Sequence, residues 1–171
     1  MSQTDFPPLD SRTFRQVLGQ FATGVAVVTA SAADGTRIGM TMSSFNSVSL
    51  DPPLVLFSVD RRALSLPAMR EARGFGINIL GEDQRELSDR FARALEDKWS
   101  AVDHHLGAHD VPLLKGALAH LECAPYAVHE GGDHEIFIAR VLRVSAPSTE
   151  APLIFFRGRY HALASTDMPQ R

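Results

Sequence analysis

GMTMSSFNSVSLDPPLVLFSV, residues 39–59, sets five serines and a threonine among residues that belong in a core. Asp51-Pro52-Pro53 forbids helix here, because proline lacks an N–H and pushes the residue before it into extended backbone. The stretch therefore reads as a hydroxyl-rich connection between two strands, the second being residues 54–59 (LVLFSV). Small hydroxyl side chains in such a connection have two uses. They bond their own backbone, as Ser and Thr do in many loops. They also let a flat heterocycle lie against the backbone, and together with N–H groups they can hold a phosphate. No GxGxxG or GxxxxGK[ST] accompanies them, so a Rossmann or P-loop nucleotide site has no support.

Upstream, residues 24–30 (GVAVVTA) are β-branched, Asp34-Gly35 marks a turn, and residues 37–42 return as the second arm of a hairpin. Before them, Phe14, Val17, Leu18 and Phe21 fall on one face of a helix over residues 11–21, capped by Ser11 or Thr13 and expected to pack on a sheet. Downstream, Pro67 placed early and Gly74 placed late delimit a short helix over 62–73. Residues 74–80 (GFGINIL) form a strand, and Leu87, Phe91 and Ala94 or Leu95 give helical spacing to 82–95. Residues 96–116 read as a long loop, and strands return at 117–128, 135–144 and 152–163, with Gly131-Gly132-Asp133 turning between the first two. The fold class is mainly β with peripheral helices: a barrel, which removes exposed sheet edges, with an open antiparallel sheet as the alternative.

The 171 residues suit one domain over 11–165, with a loose arm at 1–10 and a tail at 166–171. Hydrophobic residues at 44%, charged residues at 22% and a net charge of -3 leave no electrostatic footprint for nucleic acid. Cys123 has no cysteine partner, no basic-then-apolar leader opens the chain, and no apolar run approaches the ~20 residues of a membrane helix. The cytoplasm is the expected compartment, with no membrane partner.

Five stretches in order, TGVAVVTA (23–30), the 39–59 segment, FGINIL (75–80), GDHEIFIARV (132–141) and PLIFFRGRYHAL (152–163), resemble the flavin reductase-like domain family over nearly the whole chain. The resemblance implies an FMN-binding split β-barrel and a homodimer. It also implies an NAD(P)H:flavin oxidoreductase that binds FMN or FAD and NADH or NADPH and serves a two-component flavin monooxygenase. It places Thr41, Met42, Ser43 and Ser44 along the flavin ring, Ser47 and Val48 on its polar edge, and Ser58, Arg61 and Ser65 towards its phosphate. It places Asn78, Arg90, Phe91 and Ala92 around the rest of that site. His134, in the Gly132-Asp133-His134 motif, and Tyr160 fall beside the nicotinamide nucleotide, with Arg157, Gly158 and Arg159 as further candidates.

Hydride transfer between two rings needs positioning rather than a nucleophile or a metal, so no catalytic side chain is named. Other readings stay open. A turn histidine such as His134 can simply cap its turn, and His104, His105 and His109 invite a metal that no Cys or Glu cluster completes. Cys123 reads as a small buried apolar residue, and Trp99 as core or as a wall of the site. The functional alternative is a non-catalytic flavin-binding or flavin-sensing protein, since a fold can hold a ligand without acting on it. A pyridoxamine-phosphate oxidase-like enzyme would need a basic cluster that the linear sequence does not display.

Overall fold

The computed structural model describes residues 8–94 and 97–163. Helix α1 (Ser11–Leu18) precedes strands β1 (Thr23–Gly24), β2 (Ala26–Ser31), β3 (Arg37–Met42), β4 (Asn46–Leu50) and β5 (Pro53–Asp60). Helix α2 (Leu66–Glu71), strand β6 (Phe75–Ile79), a 3-10 turn at Glu82–Gln84 and helix α3 (Arg85–Ala92) follow. The rest comprises β7 (His104–Leu106), β8 (Pro112–Leu114), β9 (Ala119–Gly131), β10 (His134–Ser145), β11 (Ile154–Phe156) and β12 (Arg159–His161).

Seven strands form one antiparallel sheet in the order β3-β2-β6-β9-β10-β5-β4. Its two edges, β3 and β4, are joined by residues 43–45 alone. Laid flat, the seven strands would span about 29 Å at a spacing of about 4.8 Å. The four chain steps from Met42 to Asn46 reach at most about 14 Å. The sheet must therefore curl until its edges approach each other, and the hydroxyl segment is the bridge across the split. This is the split barrel that the family resemblance implies.

Curling gives the sheet an inside and an outside, and β2 is buried on both. Its Ala26, Val28 and Ala30 join Phe57, Phe75, Ile77 and Phe137 in the barrel core, where the three Phe rings pack with centroids 5.2, 5.3 and 5.9 Å apart. Val25 and Val27 join Phe91, Leu80, Leu114 and Leu153 in an outer cluster covered by α3. Burial on two faces is why GVAVVTA shows no apolar–polar alternation.

The serine-rich stretch holds more structure than a connection. Asn46–Leu50 is a strand, paired to β5 through a turn at Asp51-Pro52 whose peptide is cis. Alternation misses it because its residues are mostly exposed. Residues 152–163 make a β11–β12 hairpin instead of one strand. The span 96–116 holds the β7–β8 pair, and residues 95–96 within the expected helix and loop lie outside the described residues. The helix expected over 82–95 is divided into the 3-10 turn and α3, and that over 62–73 shortens to α2.

The expected packing of α1 on a sheet is not found. Its N-cap is Asp10, whose carboxylate accepts from the Thr13 N–H and hydroxyl. Leu9, Phe14, Val17, Leu18 and Phe21 are all exposed, and no α1 residue is buried. Arm residues 1–7 and the tail 166–171 lie outside the described residues. No helix among the described residues is long and apolar enough to cross a membrane.

Candidate active site

A cavity of about 540 Å³ opens along the outer edge of β3. One side is Thr36 and strand residues 37–41, and the other is Ala63, Leu64, Ser65 and Ala68 with residues 91–94, Lys98 and Trp99. Gly39 shapes it: a Cβ there would lie 2.4 Å from Phe91 Cε1 and 3.2 Å from Trp99 Cζ2. Without a side chain at 39, α3 and Trp99 close against the sheet, with the Phe91 and Trp99 rings edge to face at 4.9 Å. Trp99 thus belongs to both core and wall.

An edge strand leaves every second residue's N–H and C=O outside its ladder. The Gly39 carbonyl is one of these, since it accepts from Lys98 Nζ at 3.4 Å, and Lys98 also donates to the Phe91 carbonyl at 3.3 Å. By alternation Arg37 and Thr41 turn their backbone groups the same way, into the cavity. The Thr41 hydroxyl donates to the Ser88 carbonyl at 2.6 Å, and the Ser65 hydroxyl meets Met40 Sδ at 2.9 Å. Partial burial holds the Lys98 ammonium below the usual lysine range.

Four of the sequence-predicted residues line this cavity: Thr41, Ser65, Phe91 and Ala92. The others are placed elsewhere, and each placement has a physical reason. Met42 faces the barrel core. The Ser44 hydroxyl accepts the Ser58 N–H at 3.0 Å just beyond the last β4–β5 pair, Asn46 with Leu56, and so stands in for a strand partner. Ser43, Ser47 and Val48 are exposed on the bridge and β4, and the Ser47 N–H bonds Asn46 Oδ1. Arg61 pairs with Glu130 at 3.1 Å. Arg90 donates to the Ser100 carbonyl.

Asn78 is fully buried, and its side chain is spent on the fold: Nδ2 donates to the Val27 carbonyl at 2.9 Å, while Oδ1 accepts the Leu114 N–H at 2.7 Å. His134 starts β10 opposite Asp60, with Nδ1 2.7 Å from Asp133 Oδ1. That hydrogen bond and the imidazole's charge hold the Asp133 carboxyl below its usual range. Tyr160 lies on β12 under the outer cluster, its hydroxyl 2.8 Å from Ser88 Oγ. Arg157 and Gly158 form the hairpin turn beside α1, and Arg159 begins β12.

Three cations that sequence reasoning missed, Arg37, Arg93 and Lys98, converge on the cavity from separate segments. None of them takes part in the ion pairs among the described residues. The linear sequence displays no basic cluster because the three lie in separate segments, and the fold assembles one. The one local signal was Lys98-Trp99, a cation beside a large aromatic in an otherwise polar span. Backbone hydrogen-bonding groups, a flat apolar wall and a cationic rim together suit a planar heterocycle with a phosphorylated tail.

No group of His, Cys, Asp or Glu suited to a metal occurs among the described residues. His104 bonds the Val102 carbonyl at 2.8 Å, and His105 packs edge-on to His120. Burial pushes the Cys123 thiol up to about 12, which leaves it an inert core residue.

Comparison with known proteins agrees with the geometry. The sequence profile of the flavin reductase like domain matches residues 18–164. An FMN reductase (NADH), SmoA, of Agrobacterium fabrum is 45% identical over 154 residues, 88% of this chain and 85% of that one. The reductase subunit HsaB of a flavin-dependent monooxygenase from Rhodococcus jostii is 40% identical over 152 residues, 89% and 77% of the two chains. A solved NADH:FAD oxidoreductase of Streptomyces globisporus, in complex with NAD and FAD fragments, superposes with a TM-score of 0.87 at 36% identity, covering 95% of this chain and all of that one. The chain belongs to the flavin reductase-like domain family.

Proposed function

We infer that this chain is an NAD(P)H-dependent flavin reductase, which reduces FMN or FAD and supplies the product to a flavin-dependent monooxygenase. The observation that carries the reading is the outer edge of β3, whose unladdered backbone groups share one cavity with Arg37, Arg93 and Lys98. The names of the relatives, an FMN reductase and a monooxygenase reductase subunit, support the same activity and the same kind of partner.

When bound there, the flavin supplies the hydride-accepting chemistry. The chain supplies the place for it. The edge N–H groups of Arg37 and Thr41 offer fixed partial positive charge to an electron-rich ring edge, in the manner of an oxyanion hole. Gly39 and Phe91 leave a flat wall, and Arg37, Arg93 and Lys98 on the same cavity would hold the phosphate of a bound flavin nucleotide. His134, held by Asp133 at the end of β10, is the residue we assign to the nicotinamide nucleotide, since this pairing leaves its Nε2 free to hydrogen-bond a carboxamide. Near-contact alignment of two rings is the catalytic device, and no side chain exchanges a proton or forms a bond.

The exposed apolar residues Phe14, Val17 and Leu18 of α1, with Leu9 and Phe21 flanking it, support a homodimer in which a second copy covers them. Steady-state oxidation of each nicotinamide with each flavin tests the function. Turnover that requires added flavin is expected; flavin binding without turnover would make the protein a non-catalytic flavin binder.

A further inference from the structure

We propose that Tyr160 and Ser88 are positioning residues that set the flavin-facing edge of β3 from outside the cavity. This rests on the reading of the β3 cavity as the flavin site, and it departs from the placement of Tyr160 beside the nicotinamide.

The connection passes through Ser88, whose hydroxyl makes one hydrogen bond and whose backbone carbonyl accepts another. Tyr160 has one O–H, and it donates to the Asp89 carboxylate, which accepts only, at 3.1 Å. The Ser88 hydroxyl, 2.8 Å from the Tyr160 oxygen, is then the donor in that pair. The Ser88 carbonyl in turn accepts the Thr41 hydroxyl at 2.6 Å. Thr41 lines the cavity; Tyr160 does not.

The surroundings hold this connection rigid. Ser88 is fully buried. The Tyr160 ring meets Phe155 edge-on at 5.6 Å and carries the Arg85 guanidinium 5.4 Å above its centroid. Arg85 also reaches Asp89, at 4.0 Å. Burial raises the phenol above the usual tyrosine range, so it stays a donor at neutral pH. The hairpin β11–β12 thus braces α3, and α3 fixes Thr41. Because the Thr41 proton is committed to Ser88, its oxygen meets a ligand as an acceptor and reads an N–H or O–H on it.

The test is the kinetics of Tyr160→Phe, Ser88→Ala and the double variant against wild type. Each single change should raise the KM for flavin about fivefold, the worth of one buried hydrogen bond, and leave the KM for NADH within about twofold. The double variant should be no worse than the poorer single, since the two hydroxyls act as one unit. A raised NADH KM with flavin KM unchanged, or additive effects of the two changes, would overturn the proposal. Wild-type protein that binds no flavin would overturn the cavity reading itself, and the proposal with it. Ser88→Ala keeps the test sound if loss of the phenol prevents folding.

Discussion

The ring of Phe91 occupies the space that a side chain at residue 39 would need, with Cε1 2.4 Å from an ideal Gly39 Cβ. Strand and helix meet here at backbone distance, and the cavity wall depends on it. Gly39→Ala should force Phe91 and Trp99 outward, costing about 1–3 kcal/mol and lowering the melting midpoint by several degrees. Flavin affinity should fall with it. Calorimetry and flavin fluorescence quenching check the two effects, and an unchanged melting point would show that α3 yields freely.

Lys98 joins the two walls through the Gly39 and Phe91 carbonyls, and it belongs to the cationic rim. Lys98→Met should weaken FMN binding about tenfold, a charge-assisted hydrogen bond's worth, and reduce the salt dependence of what remains. Binding isotherms at low and high ionic strength read both.

Asn78 separates fold from site. Asn78→Ala strands the Leu114 N–H in the core and removes a second acceptor bond from the Val27 carbonyl, which keeps its strand partner, and should cost about 2–4 kcal/mol in urea unfolding. In the protein that remains folded, the flavin KM should stay near wild type. A large KM change without a stability change would return Asn78 to the flavin site.

Acid stability has an identifiable carrier. Arg70 hydrogen-bonds the buried Glu135 carboxylate, with Nε 2.9 Å from Oε2, and this holds the carboxyl below its usual value of 4.5. A depressed folded-state value stabilises the protein above the unfolded value, and that stability is lost as pH falls through the folded one. Wild type should therefore lose stability below about pH 4.5 more steeply than Arg70→Met, which starts lower at neutral pH. Melting midpoints from neutral to acid pH, converging for the two proteins, would verify this.

How much of this was readable beforehand depended on periodicity and adjacency. The long strands, the α3 region and the strand nature of 54–59 carry apolar patterns, and they were visible. β4 was not, because a mostly exposed, serine-rich edge strand carries no apolar alternation. α1 has its apolar face exposed where a face packed on the sheet is expected, because amphipathicity gives a face but not what covers it. Of the cavity lining, Thr41, Ser65, Phe91 and Ala92 are among the residues that the family resemblance names. Arg37, Arg93 and Lys98 did not, since cations from three segments become a cluster only once the sheet has curled. Ser44 shows the opposite case: its hydroxyl continues the β4–β5 pairing by accepting the Ser58 N–H.

The central claim is that the edge of β3 holds a flavin that this chain reduces. Anaerobic mixing of the purified protein with NADH and FMN or FAD, followed by visible flavin absorbance, tests it most directly. The account predicts rapid bleaching that slows in Gly39→Ala and Lys98→Met through weaker flavin binding. Flavin that binds yet stays yellow in the presence of NADH and NADPH would contradict it.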